Sequence, residues 1–432
     1  MSRAALGSAV IGLLAAVIGS AAASPAQAAT PKMRTISYLG HTFRVPASWP
    51  VVNLGSDPTA CVRFDRSAVY LGAAPADQHC PGRTFGRTDA IQIQPARPGA
   101  GAGAAENGTS HQITSTGSGL TVTATYRSSP RQIAATLASG GLPAPAGNGS
   151  ATPNHSSSAP PGVKAAAHPP ALPTSALAFT GQGFDACSAP SAATMAAWKA
   201  SSPYGAIGVY IGGVNAGCGQ PNLTPGWVAA QAAAGWHFFL IYVGPQAPGS
   251  SCTSCSKITS PTSQGIGAAQ DAAAQAAALG FGAGAPIIDD MEEYAPSGTS
   301  AALGFISAWT SELHTLGYNS GEYSSVSSGI VDLVKAKASG GYTLPDVVSF
   351  AQWNGVADTS DPAIPSGDWS GHRLMHQYRG NVSQTYGGVE IDLDCDYLDF
   401  GVITATPTPV PAPAPAPSPP PVPSPAPQPT TS

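Results

Sequence analysis

Between residues 176 and 403 short apolar runs alternate with longer amphipathic or alanine-rich stretches. Eight runs carry a strand pattern: Gly183-Phe184-Asp185, Ala206 to Ile211, His237 to Val243, Pro286 to Asp290, Ser320 to Tyr323, Asp346 to Phe350, Arg373 to Tyr378 and Val389 to Leu393. Helical spacing falls between several of them, over Ala192 to Ala200, Pro225 to Ala234, Gly265 to Leu279, Thr299 to Leu316 and Ser328 to Ala336. Strand and helix in alternation over this length predict an α/β fold, a parallel sheet closed into a (β/α)8, TIM-like barrel. An open doubly wound sheet would bring a glycine-rich cofactor turn, and the sequence has none.

The chain before this region reads differently. Shorter runs broken by Gly, Pro and Asp (Thr35 to Tyr38, Thr42 to Val45, Cys61 to Phe64, Ala68 to Leu71, Ala90 to Ile93 and Gly119 to Tyr126) predict a small mainly-β module over 31–138. Gly99 to Gly108 reads as an interruption of it, and Arg131 to Leu137 as a short helix. Residues 139–175 hold almost no large apolar side chains and are expected to be a linker, and 404–432 an extended proline-rich tail. At the start, Arg3, the apolar stretch Ala9 to Ile18 and the small residues ending Ala26-Gln27-Ala28 have the three parts of a secretory signal over 1–28. No later segment is long and apolar enough to span a bilayer, so a secreted chain is expected, with association with the cell wall as a further option.

Composition narrows the partners. A net charge of −5 without a basic stripe or a phosphate-cradling loop argues against nucleic acids and nucleotides. All seven cysteines follow the leader, and in an exported chain disulfides are expected: Cys61 with Cys80, Cys187 with Cys218, and Cys252 with Cys255. Cys395 is then the odd thiol. Cys252-x-x-Cys255 has no nearby His to complete a zinc set, so neither metal nor cofactor is expected.

The chemistry concentrates at Asp289-Asp290-Met291-Glu292-Glu293-Tyr294, where an apolar run ends in carboxylates. On a strand Asp290 and Glu292 would share a face, with Cα atoms about 6.5–7 Å apart. Asp185 ends the first predicted strand, and Asp392 and Asp394 end the eighth. In a closed barrel these strands are neighbours, so acids distant in sequence converge on the C-terminal face, where such folds place their chemistry. Paired carboxylates there suit cleavage of a glycosidic bond. Neither a G-x-S-x-G elbow nor an H-E-x-x-H motif supports a peptidase or amidase.

A family resemblance rests on an ordered set of pieces. These are Gly183-Phe184-Asp185, Val209-Tyr210-Ile211-Gly212-Gly213, Gly235-Trp236, Tyr242-Val243-Gly244, Asp290-Met291-Glu292-x-Tyr294, Gly317-Tyr318, Tyr323-Ser324-Ser325, His376-Gln377-Tyr378 and Gly387-Gly388-Val389-x-Ile391-Asp392-Leu393-Asp394. Residues of about 180 to 400 resemble the glycoside-hydrolase-like domain of exported actinobacterial proteins, which is similar to the family 25 lysozymes. The resemblance implies action on peptidoglycan glycan strands, with Glu292 as general acid. Asp290 would stabilise an intermediate formed with help from the substrate's N-acetyl group, and Asp185 and Asp392 would tune protonation. Gln377, Tyr378 and Asp394 would bind sugar, and Tyr210, Tyr242, Tyr294 and Trp353 are candidate stacking surfaces. The competing expectation is a wall-binding or scaffolding protein that keeps the barrel and its acids without catalysis.

Overall fold

The computed structural model describes residues 31–145 and 171–403. The expected leader, most of the expected linker and the proline-rich tail lie outside them.

In the N-terminal module, β1 (Met33–Tyr38) and β2 (His41–Pro46) form a hairpin beside a six-stranded sheet. That sheet has the order β3-β4-β5-β8-β7-β6, built from β3 (Val51–Asn53), β4 (Val69–Leu71), β5 (Ala90–Pro95), β6 (Gly103–Asn107), β7 (Gln112–Gly117) and β8 (Leu120–Thr125). Alternation sorts its faces: Ile91, Ile93, Ile113 and Val122 are buried with Ile133 and Leu137 of α1 (Arg131–Ser139) and with Phe43 and Val45 of β2. Two expectations fail here. Gly99 to Gly108 is not an interruption, because β6 pairs with β7 from Gly103 to Asn107. Cys61 to Phe64 is not a sheet strand; its backbone runs instead along the barrel, where Phe64 N–H donates to Gly217 O at 2.7 Å and Gly219 N–H to Val62 O at 2.9 Å.

The second unit is a closed eight-stranded barrel of β9 (Phe179–Asp185), β10 (Ala206–Gly212), β11 (His237–Tyr242), β12 (Pro286–Asp290), β13 (Asn319–Ser325), β14 (Val347–Ala351), β15 (Arg373–Tyr386) and β16 (Val389–Phe400). Between the first six strands lie α2 (Ala192–Ser201), α3 (Pro225–Ala233), α4 (Pro261–Leu279), α5 (Thr299–Thr315) and α6 (Gly329–Ser339). Local chemistry starts these helices: the side chains of Ser191 and Thr224 accept from Thr194 N–H and Trp227 N–H, and Pro225 occupies the first turn of α3. α4 and α5 approach closely because α4 is alanine-rich and carries Gly265, where a Cβ would sit 2.6 Å from Phe305 O.

The expected (β/α)8 pattern is corrected at its end. β14 and β15 are joined by a loop without a helix, and β16 runs antiparallel to both β15 and β9. The cause is Gly387-Gly388, both at positive φ, which close a two-residue hairpin between Tyr386 and Val389. A parallel return needs a crossover of a dozen or more residues.

Side-chain direction then divides the barrel. Tyr210, Phe239, Ile241, Ile288, Tyr323, Met375 and Leu398 fill its inside, while Phe184, Leu240, Ile287, Trp198 and Trp309 pack between strands and helices.

Three disulfides form, Cys61–Cys80, Cys187–Cys218 and Cys252–Cys255, and Cys395 is a buried free thiol. The sulfurs of Cys61, Cys80 and Cys218 lie within 4.8 Å of one another. The first two bridges therefore stack where module meets barrel, and these sulfurs are spent in disulfides. Replacing Cys61 and Cys80 together by Ser is expected to cost about 3 kcal/mol, measured as a lower denaturant midpoint. Among the described residues no helix is long and apolar enough to cross a membrane.

Candidate active site at the barrel mouth

β12 is buried along its whole length, so alternation sends Ile288 and Asp290 inward and Ile287 and Asp289 toward the helices. Asp185 reaches the same interior from β9, with Gly208 of β10 leaving it room: a Cβ there would lie 2.6 Å from the Asp185 Cβ. From β16 the antiparallel register sets Asp394 opposite Asp185 and Asp396 opposite Gly183, one step deeper. Glu292 follows β12 in the loop, its backbone N–H held by Gln246 Oε1 at 2.8 Å. Five carboxyls thus converge from three segments.

The reversal of β16 decides which of its acids take part. Asp392, expected among the catalytic group, is half-buried beyond the mouth, accepts from Ser383 Oγ and lines a separate cleft of about 330 Å³ with Asp77 and Gln78. Asp396 is fully buried, and sequence reasoning missed it, although the Asp392-x-Asp394-x-Asp396 alternation was its signal.

The remaining expected residues divide in two. Tyr210 Oη donates to Asp185 Oδ1 at 2.7 Å inside the barrel. Gln377 joins the cluster by donating to Asp394 Oδ2 at 3.1 Å, while its own Oε1 accepts from Tyr323 Oη at 2.9 Å and Trp353 Nε1 at 3.0 Å. Trp353 is 52% exposed at the rim. Tyr242, Tyr294 and Tyr378 face outward: their hydroxyls go to Asp271, Asp332 and Gln182, and their rings lie in the helix–strand core. That orientation keeps them from stacking on a ligand in the mouth.

Arg83, the other residue missed, comes from the N-terminal module. Its guanidinium makes an ion pair with Glu292 and places Nε 3.6 Å from Asp394 Oδ2. It lies 4.9 Å from the ring centre of Phe85, 5.7 Å from Trp353 and 5.9 Å from Tyr323. The backbone carrying it is fastened down. Gly86 N–H donates to Asn215 O at 2.9 Å, the buried Arg87 donates to Ala216 O at 2.8 Å, and a Cβ on Gly217 would sit 2.4 Å from Thr84 O. The space left among Arg83, Asp185, Asp290, Tyr323 and Gln377 is about 10 Å³, room for a single water.

Burial governs the electrostatics. It holds the Asp290 carboxyl well above the usual carboxylate range, an effect the nearby Glu292 adds to and Arg83 opposes. Burial, with Asp185 close by, pushes Asp394 up to about 8. Asp396 is raised by burial and then by Asp185 and Asp394, and Asp185 by burial against the Tyr210 hydroxyl and Arg83. Burial also works against the Arg83 charge, yet Tyr323, Glu292, Asp394 and Asp290 keep its guanidinium protonated.

The acid cluster thus sits at the C-terminal ends of the parallel strands, the face on which closed barrels carry their chemistry. Residues 196–398, within the barrel, match the family described as "Rv2525c-like, glycoside hydrolase-like domain". Three solved structures are similar over about half of the chain. An uncharacterized B. stearothermophilus protein is 18% identical, covering 50% of this chain and 95% of that one at a TM-score of 0.37. The catalytic domain of endolysin ply40 from bacteriophage P40 of Listeria monocytogenes is 12% identical, covering 51% and 93% at 0.32. The modular autolysin LytC from Streptococcus pneumoniae is 13% identical, covering 50% and 46% at 0.33. No curated protein matches the chain.

Proposed function

We propose that the protein is an exported glycoside hydrolase-like protein acting on the glycan strands of cell-wall peptidoglycan. The observation that carries this reading is the convergence of Asp185, Asp290, Glu292 and Asp394 at the mouth of a barrel of glycoside hydrolase-like family. In this reading Glu292, freed from Arg83, carries the proton given to the leaving oxygen, and Asp290 acts in its ionised form, against the burial that raises it, to stabilise the positive charge that develops on the sugar ring. Asp185 and Asp394 hold that pair in a field that favours a cation, and Gln377 orients the sugar. The disulfides suit an oxidising compartment outside the cytoplasm, in keeping with the leader expected at 1–28. The Arg83 side chain has to leave Glu292 before a glycan can enter.

That ion pair also favours a second reading, glycan binding without cleavage. Release of new reducing ends from purified peptidoglycan separates the two. The parent is expected to release them, and Asp290→Asn and Glu292→Gln to lower the rate by about 10²–10⁴-fold while remaining folded. Full activity in both variants overturns the assignment, and retention of wall material without release by the parent selects the binding reading.

A further inference from the structure

We propose that the acid-lined mouth of the barrel is a cation-taking subsite, filled in this structure by Arg83, and that the ligand replacing Arg83 is a glycan bearing a free ammonium group, a de-N-acetylated amino sugar. This rests on the glycan reading above and names the charge of the sugar.

Arg83 behaves as a built-in ligand. Two carboxylates and the rings of Phe85, Tyr323 and Trp353 surround its guanidinium, the combination that recognises organic cations elsewhere. With about 10 Å³ free, nothing larger than water enters beside it, so a ligand has to take its place. The backbone from Thr84 to Arg87 is bonded to segment 215–217, so the displacement falls to the Arg83 side chain while the module stays docked. Asp290 Oδ1 and the inward hydroxyl of Ser349 already wait inside without partners, both buried, and Asp396 is buried beside Asp185.

Charge then selects the ligand. The groups facing this space are Asp185, Asp290, Glu292, Asp394 and Asp396 with the hydroxyls of Tyr210 and Tyr323, and Arg83 is the cation among them. A neutral N-acetylated ring in its place offers Glu292 and Asp394 no substitute for the ion pairs that Arg83 now makes with them. A glucosamine ring brings the counter-charge with it. The ammonium also presents three donors to acceptors that lack them.

Calorimetric titration of the full chain with tetra-glucosamine and with tetra-N-acetylglucosamine, under mildly acidic conditions, tests this. The expected result is binding of tetra-glucosamine at least about tenfold tighter, a gap of about 1.4 kcal/mol. Arg83→Ala should tighten binding further, because the internal competitor is gone. Arg83→Gln, close to the original in size, serves if the alanine variant does not fold. 1,5-Diaminopentane, an ammonium without a sugar, should bind more weakly than tetra-glucosamine. Equal or tighter binding of the N-acetylated tetramer, or loss of tetra-glucosamine binding on removing Arg83, overturns the proposal and leaves the glycan reading standing. A diamine that binds as tightly overturns the amino-sugar assignment, and failure of both tetramers overturns the glycan reading as well.

Discussion

Arg83→Met is expected to destabilise the folded chain by about 3–5 kcal/mol near neutral pH, and by much less in acid. The substitution keeps the side-chain volume and removes the charge that faces Glu292, Asp394, Asp290 and Asp185. Each of Asp185, Asp290, Asp394 and Asp396 already has its proton affinity raised by burial, so folding takes up protons at these sites. A raised carboxyl contributes its stability fully below its unfolded pKa and loses it as pH climbs through the folded one. For Asp394 that window runs from the ordinary carboxylate range to about 8. Because Arg83 opposes the rise at Asp185, Asp290 and Asp394, its loss makes ionisation harder still, and the deficit of the variant grows with pH across this window. Thermal unfolding of parent and variant over a pH series measures it. A deficit independent of pH would show that Arg83 acts by packing alone.

Much of the barrel was legible because its elements are marked locally. The Pro286 to Asp290 run and the helices expected from Ala192 and Pro225 are marked within a few residues of where they form, the latter started by Ser191 and Thr224. What escaped was set by pairing at a distance. The direction of β16 hangs on Gly387-Gly388, a hairpin signal present in the sequence but subordinated to the expected eightfold repeat. That reversal exchanged Asp392 for Asp396 in the cluster. Arg83 meets Glu292 across 209 positions, and no local pattern announces such a contact. The misplacement of Tyr242 has another cause. Strands buried on both faces read as unbroken apolar runs, so the sequence of β11 does not say that Ile241 points in and Tyr242 out. Tyr210 points into the barrel by the alternation of β10, and its hydroxyl meets Asp185 there.

Asp289→Asn and Glu322→Gln are each expected to stabilise the protein by about 1–3 kcal/mol at neutral and alkaline pH, with no gain in acid. These two residues are register partners on β12 and β13, both fully buried; neither Glu322 oxygen has a hydrogen-bond partner, and Asp289 has the Gly244 backbone N–H beside it. They lie on the far side of the strand from Asp290, under the helical layer: a Cβ on Gly244 would sit 2.4 Å from Asp289 Oδ1 and 3.4 Å from the Phe305 ring. Burial raises Asp289 well above the carboxylate range, against the Gly244 backbone N–H, and raises Glu322 likewise, with Asp289 and Asp290 adding to it. Both acids are therefore held as neutral groups in the fold while the unfolded chain ionises freely, and folding must supply their protons. The amides keep the shape and do not titrate. Their advantage is absent where the unfolded acids are protonated too, and widens as pH rises toward the folded values. Denaturant midpoints across pH check it. A loss of stability in both variants at every pH would mean that the pair is a hydrogen-bonded element of the core, and a gain confined to high pH would identify it as a buried proton store behind the site.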